Sequence, residues 1–173
     1  MSTLQVTVIP NLPFIEFSRD FDAPVSAVYR AHADLDLVQQ WLGPTGYTTE
    51  IDHWHLRTGG SYRFTHIDPE GERFEFRGVF HEVRPNDFII QTFEYGGHPD
   101  VVSIETVRFV DLGDGCMRLI GHSTYPSQEA RDGMADNGME DGMAEGYDRL
   151  DNVLAEFRAG ISSRSNNSIP DRS

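Results

Sequence analysis

A single cysteine, Cys116, has nothing in the chain to pair with, which excludes an intramolecular disulfide and any multi-cysteine zinc site. Basic residues are scarce: fourteen against twenty-eight acidic ones leave a formal charge of −14. That balance repels phosphate backbones and anionic membrane surfaces, so neither nucleic acid nor a membrane is expected as partner. No stretch approaches the ~18 apolar residues of a membrane span. The opening "MSTLQVTVIPNLPF" lacks the basic and apolar regions of a secretory signal. A soluble, cytoplasmic protein is expected. GxSxG, GxGxxG, Walker and HExxH patterns are all missing from the chain, which removes the commonest sequence marks of hydrolytic, nucleotide and zinc-peptidase sites. "HWH" (53–55) sets His53 and His55 on one strand face, but zinc needs three or four ligands and no third is spaced to join them. No metal and no cofactor is expected, and Trp54 is read as the inward residue of that strand.

What the chain does have is enough to build a core: 38% hydrophobic and 11% aromatic residues over 173 positions, a length that fits one domain. "FIEFSRDFDAP" (14–24) alternates like a strand and runs into a helix start at Pro24. Val25, Val28, Tyr29 and His32 follow at helical spacing. Asp34 suits the cap of a second short helix carrying Leu35, Val38, Trp41 and Leu42, stopped by "GP" at 43–44. From Tyr47 to Tyr125 the pattern changes to six strands broken by turn signals: 47–57, 61–67, 72–84, 87–95, 101–111 and 115–125. Six consecutive strands with tight turns imply an antiparallel meander. A long helix follows, over 136–157, and the polar segment 158–173 is expected to be a disordered tail outside a single domain of residues 1–157. The fold class is α+β: a curved antiparallel sheet of about seven strands, counting the one before the helices, wrapped around the C-terminal helix. That helix is the only element long enough to cover one sheet face.

Four stretches resemble a known family. "FDAPVSAVYRAHADLDLVQQWLGP" (21–44) is similar to the opening of domains related to the activator of the heat-shock-protein-90 ATPase. These belong to the START-related helix-grip superfamily, also called SRPBCC. "LRTGGSYRF" (56–64) resembles the family's Arg-x-Gly-Gly hairpin, "GVFHEVRPNDFIIQTF" (78–93) its Glu-x-x-Pro strand pair, and "NGMEDGMAEGYDRLDNVLAEF" (137–157) its terminal helix. The resemblance spans about residues 14–157. It implies a deep cavity between sheet and helix that often accepts an apolar small molecule. It does not imply one activity, since the superfamily includes carriers, hormone receptors, cyclases and chaperone partners. A single short domain also lacks the extra chaperone-binding domain of the eukaryotic activator.

The terminal helix carries an oddity. Gly138, Gly142 and Gly146 stack along one side of a helix, each about 1 kcal/mol worse than alanine there. Beside them runs a ridge of Met139, Met143 and Tyr147. Missing side chains permit either a close-approaching neighbour or empty volume. Within this fold the second option makes the first half of the helix a loose roof, its methionines adapting to a guest, and Leu150, Val153, Leu154 and Phe157 the anchor. The expected cavity lining is Trp41, Trp54, Tyr62, Phe64, His66, Phe76, Met139, Met143 and Tyr147.

Polar residues on apolar strand faces supply the candidate chemistry. His66 shares a face with Tyr62 and Phe64, Glu82 with Phe80, and Glu105 with Val107 and Phe109. For 87–95 either Phe88, Ile90, Thr92 and Glu94, or Ile89, Gln91, Phe93 and Tyr95, faces inward. His66 with Glu94 or Glu105 is therefore a candidate acid/base pair, because burial raises a carboxylate pKa and a neighbouring charge poises the imidazole. Three functions follow: a binding domain for a hydrophobic or amphipathic small molecule; a cofactor-independent cyclase, dehydratase or hydrolase in the same cavity; and a chaperone-associated interaction domain using the acidic helix face, where eight carboxylates between 132 and 156 oppose Arg149 alone. A homodimer through the meander face or the N-terminal segment is compatible with each.

Overall fold

The computed structural model describes residues 2–165. Its chain order is β1 (Gln5–Val8), β2 (Phe14–Phe21), α1 (Val25–Ala33), α2 (Leu35–Trp41), β3 (Thr48–Trp54), β4 (Ser61–Ile67), β5 (Arg73–Arg84), β6 (Phe88–Tyr95), β7 (Val102–Gly113), β8 (Cys116–Thr124), α3 (Gln128–Asp136) and α4 (Met139–Ser165). All eight strands form one sheet in the order β1-β2-β8-β7-β6-β5-β4-β3, each neighbouring pair antiparallel. The meander thus runs from β3 to β8, and β2 closes onto β8 across both short helices.

Local chemistry sets the boundaries. Pro24, extended, precedes α1, whose Val28 and Ala31 are buried. The Asp34 carboxylate accepts from the Asp36 N–H and starts α2, whose buried residues are Val38 and Trp41. Gly43, at φ +104, ends the turn beyond it. The extra strand is β1, "QVTV": four residues are too few for periodicity to separate strand from linker, and only pairing with β2 makes them one. A second unforeseen element, α3, begins at Ser127, whose hydroxyl accepts from the Ala130 N–H. The helix expected over 136–157 is broken at Gly138, whose φ of +76 forms the joint between α3 and α4. Helix α4 then continues to Ser165, into the segment expected as tail, and residues 166–173 lie outside the described residues.

Core packing lies between the inner sheet face and α4. Leu150, Val153 and Leu154 of α4 meet Phe21, Met117 and Leu119 of the sheet in one buried cluster. Full burial of each such side chain is worth about 2 kcal/mol. One charged residue joins them: Arg19 of β2 is 2% exposed and donates to Asp151 at 2.6 Å and Asp148 at 3.0 Å, one turn apart on α4. A helix that presents two carboxylates to a buried guanidinium has one rotational setting, so this triad orients α4 on the sheet. At the other end, buried Arg131 donates to the Ile9 and Leu12 carbonyls and ties α3 to the β1–β2 turn.

The acidic run over 132–156 is therefore not wholly a solvated face. Asp132 holds Arg131, Asp148 and Asp151 hold Arg19, and Glu145 caps the Thr45 N–H at 2.6 Å.

Candidate functional site

Strand register decides which side chains reach the space under α4. The pairs Phe76–Tyr95 and Phe80–Gln91 turn Gln91, Phe93 and Tyr95 inward, and Gln91–Glu105–Ser123 then lie abreast on β6, β7 and β8. Glu94 belongs to the other face, where its carboxylate receives Arg77 at 3.1 Å. A bulge between Phe80 and Glu82 breaks the alternation that set Glu82 on the Phe80 face; Glu82 accepts instead from the Thr58 hydroxyl at the sheet rim.

Glu105 is the charged residue at the centre of this row. Its Oε2 accepts from Gln91 Nε2 at 3.2 Å and its Oε1 lies 3.5 Å from the Ser103 hydroxyl. Gln91 Nε2 also reaches the Tyr62 hydroxyl at 3.4 Å, and that hydroxyl donates to the Thr92 carbonyl at 2.6 Å. Burial pushes the Glu105 carboxyl up to about 7. The residue is nonetheless half-buried by accessible surface. Its negative form also lies near enough to raise the hydroxyls of Tyr62, Tyr125 and Tyr147, on top of the larger effect of their burial.

His66 stands apart from this group. Thr49 Oγ1 donates to the Leu42 carbonyl at 2.9 Å, so it accepts from His66 Nδ1–H at 3.0 Å and leaves Nε2 as an acceptor. Burial first, then the Arg149 charge, holds the imidazole down to about 4, neutral at physiological pH. His66 on β4 and Glu105 on β7 are separated by β5 and β6, about 14 Å across the sheet at the usual strand spacing, and are further offset along the strands. The structure brings His66 together with neither Glu94 nor Glu105. A second interior histidine was not singled out in the sequence. His32 donates from Nδ1 to the Val28 carbonyl at 2.7 Å and packs on Trp41 and Phe109, and burial lowers it also to about 4.

The aromatic candidates line up along the same interior. Trp54 faces inward, donating to the His32 carbonyl at 2.8 Å and packing on Tyr62 and Phe80. Phe64 stacks on Phe76 with ring centroids 5.1 Å apart. Trp41 donates to the Ala31 carbonyl and stacks on Tyr147 at 5.8 Å. Met143 packs against the buried cluster, and Met139 lies 3.9 Å from the Tyr125 hydroxyl. Tyr147 is 8% exposed. Its hydroxyl has no hydrogen-bond partner among the described residues, and no buried side-chain polar atom is left unpaired. The Tyr147 hydroxyl is therefore not fully enclosed by protein atoms.

The glycine stripe serves close approach. A Cβ at Gly146 would meet the Trp41 carbonyl oxygen at 3.1 Å, and one at Gly142 the Pro44 ring at 3.6 Å. The loop after α2 lies on the helix there, pinned by Glu145 to the Thr45 N–H and by Arg149 to the Trp41 carbonyl and Thr45 hydroxyl. The loosened roof expected of these glycines is thus a seat for a loop. Two clefts, of about 270 and 200 Å³, lie beside the β1–β2 edge (Ser2, Gln5, Arg118) and near the turn after β6 (Glu75, Arg77, Pro99). Neither is lined by α4. His53 donates to or accepts from the Ser61 hydroxyl at 3.0 Å, with the His55 ring 5.4 Å away. No group of three or more His, Cys, Asp or Glu side chains among the described residues is placed to hold a metal ion.

A family model for the activator of Hsp90 ATPase homolog 1-like protein matches residues 22–155. The chain belongs to this family. Several proteins of solved structure share its fold. A Rhodobacter sphaeroides protein is 25% identical at a TM-score of 0.81, over 89% of this chain and 99% of its own. Protein Ms6760 from Mycobacterium smegmatis is 22% identical at 0.80, over 89% and 97%. An AHSA1 protein from Silicibacter pomeroyi is 20% identical at 0.66, over 82% and 97%. No match is found among curated proteins. No helix among the described residues is long and apolar enough to cross a membrane.

Proposed function

We propose that the chain is a small-molecule-binding domain that admits an apolar, aromatic-bodied guest between the inner sheet face and α4. The observation that carries this reading is the Tyr147 hydroxyl, which has no hydrogen-bond partner among the described residues although the residue is more than nine-tenths buried. Glu105 supports it: a half-buried carboxyl on the inner sheet face, hydrogen-bonded to Gln91 and Ser103. Both facts are explained by a recess inside the fold, walled by aromatic rings and furnished with a few polar groups, which is the usual make-up of a small-molecule site. The cytoplasm is the proposed location. The catalytic alternative loses its acid/base pair, since His66 and Glu105 have separate partners on separate strands.

The test is binding of the uncharged fluorophore N-phenyl-1-naphthylamine, followed by fluorescence and by thermal unfolding. Saturable binding that raises the melting temperature, weakened by Tyr147→Trp, is the expected result. A probe that neither binds nor stabilises overturns the proposal.

A further inference from the structure

An interior carboxyl normally has a cation beside it or remains neutral. Among the described residues Glu105 has no cation paired with it. The chain contains no lysine, and the buried Arg19 is paired with Asp148 and Asp151. Among the described residues Glu105 contacts Gln91 and Ser103 alone by hydrogen bonds. The titratable groups facing it are tyrosines from three different elements: Tyr62 of β4, Tyr125 following β8 and Tyr147 of α4. Hydroxyls of this kind stay neutral near physiological pH, and their rings present faces that attract a cation. Free interior valences are mostly acceptors. The Nε2 atoms of His66 and His32 are acceptors without partners among the described residues, because each ring uses its Nδ1–H elsewhere. An anionic guest brings no hydrogen to donate and meets a carboxyl. A protonated amine brings N–H donors and the missing charge.

We infer that the ligand is a primary or secondary alkylamine that carries an aromatic ring, and that its ammonium group pairs with Glu105. This rests on the small-molecule-binding reading above and names the chemistry of its ligand. The amine enters as an ammonium ion, and binding draws Glu105 into its ionised form. Affinity for an amine therefore rises from about pH 5 to about pH 8, as the carboxyl sheds its proton, while affinity for an uncharged analogue does not.

The experiment compares 2-phenylethylamine, 2-phenylethanol and phenylacetate by calorimetry on the full chain and on Glu105→Gln. At about pH 8 the amine is expected to bind about tenfold tighter than the alcohol, the size of one charge-assisted hydrogen bond over a neutral one, with the carboxylate weakest. In Glu105→Gln the ratio of amine to alcohol affinity falls to about one, and Glu105→Asp restores part of it. An alcohol that binds as tightly as the amine overturns the inference, as does an amine preference that survives Glu105→Gln. N-phenyl-1-naphthylamine, uncharged at that pH, separates the two levels. If it binds and the amine is not preferred, the amine inference alone fails; if it does not bind, the small-molecule reading fails with it.

Discussion

Replacing Glu105 by glutamine isolates the cost of holding a carboxylate inside this fold. Burial raises the carboxyl from 4.5 in the ordinary range to about 7. Between those two values the folded chain holds a proton that the unfolded chain has released. This group's contribution to stability therefore falls as pH rises through the window: it is fully present below about 4.5 and lost above about 7. A shift of roughly 2.5 units at 1.36 kcal/mol each amounts to about 3 kcal/mol. Glutamine keeps the shape of the side chain and an oxygen to accept from Gln91, but has no charge to bury. Glu105→Gln is expected to gain about 2–3 kcal/mol at about pH 8 and almost nothing at about pH 5. For a chain of this length that difference is about 5–10 °C in melting temperature. Calorimetry at both pH values reads it directly, and because His32 and His66 are the same in both proteins, their titrations cancel. A stabilisation that does not depend on pH would refute the reasoning, since it would mean that the carboxylate is solvated when ionised.

The interior histidines set the opposite limb. Both are held near 4 by burial, so their contribution is complete above about 6.5 and is lost as pH falls toward about 4. His66→Gln should flatten the acid side of a plot of stability against pH measured by urea unfolding. Arg19→Met removes the cation between Asp148 and Asp151, both partly exposed, and should cost about 1 kcal/mol, visible as a lower urea midpoint. Gly142 and Gly146 should diverge. Gly142→Ala meets only ordinary contact at 3.6 Å and gains up to about 1 kcal/mol from helix propensity. Gly146→Leu drives a side chain into the Trp41 carbonyl and should lose about 1–3 kcal/mol by the same assay.

Read one residue at a time, the chain specified most of its secondary structure and the face that most residues occupy. Period-2 alternation of aromatics marked Tyr62, Phe64 and His66 as inward, and the 3.6-residue spacing of Leu150, Leu154 and Phe157 marked the anchoring half of α4. These patterns are local, so they are legible without neighbours. Elements that depend on a partner were not: β1 becomes a strand only by pairing with β2. For β6, apolar residues on both sides left the face open until the Phe76–Tyr95 pairing resolved it, turning Glu94 out and Gln91 in. The glycine stripe announced missing volume on α4, but whether a loop or a void occupied it depended on where residues 41–45 come to rest. The same is true of Arg19, which looks like an ordinary surface residue between Ser18 and Asp20 until two carboxylates some 130 positions away close on it. Sequence spacing encodes direction relative to an element's own axis; distance between elements, and therefore every charge pair and pKa in this interior, arises only when the sheet curls around the helix.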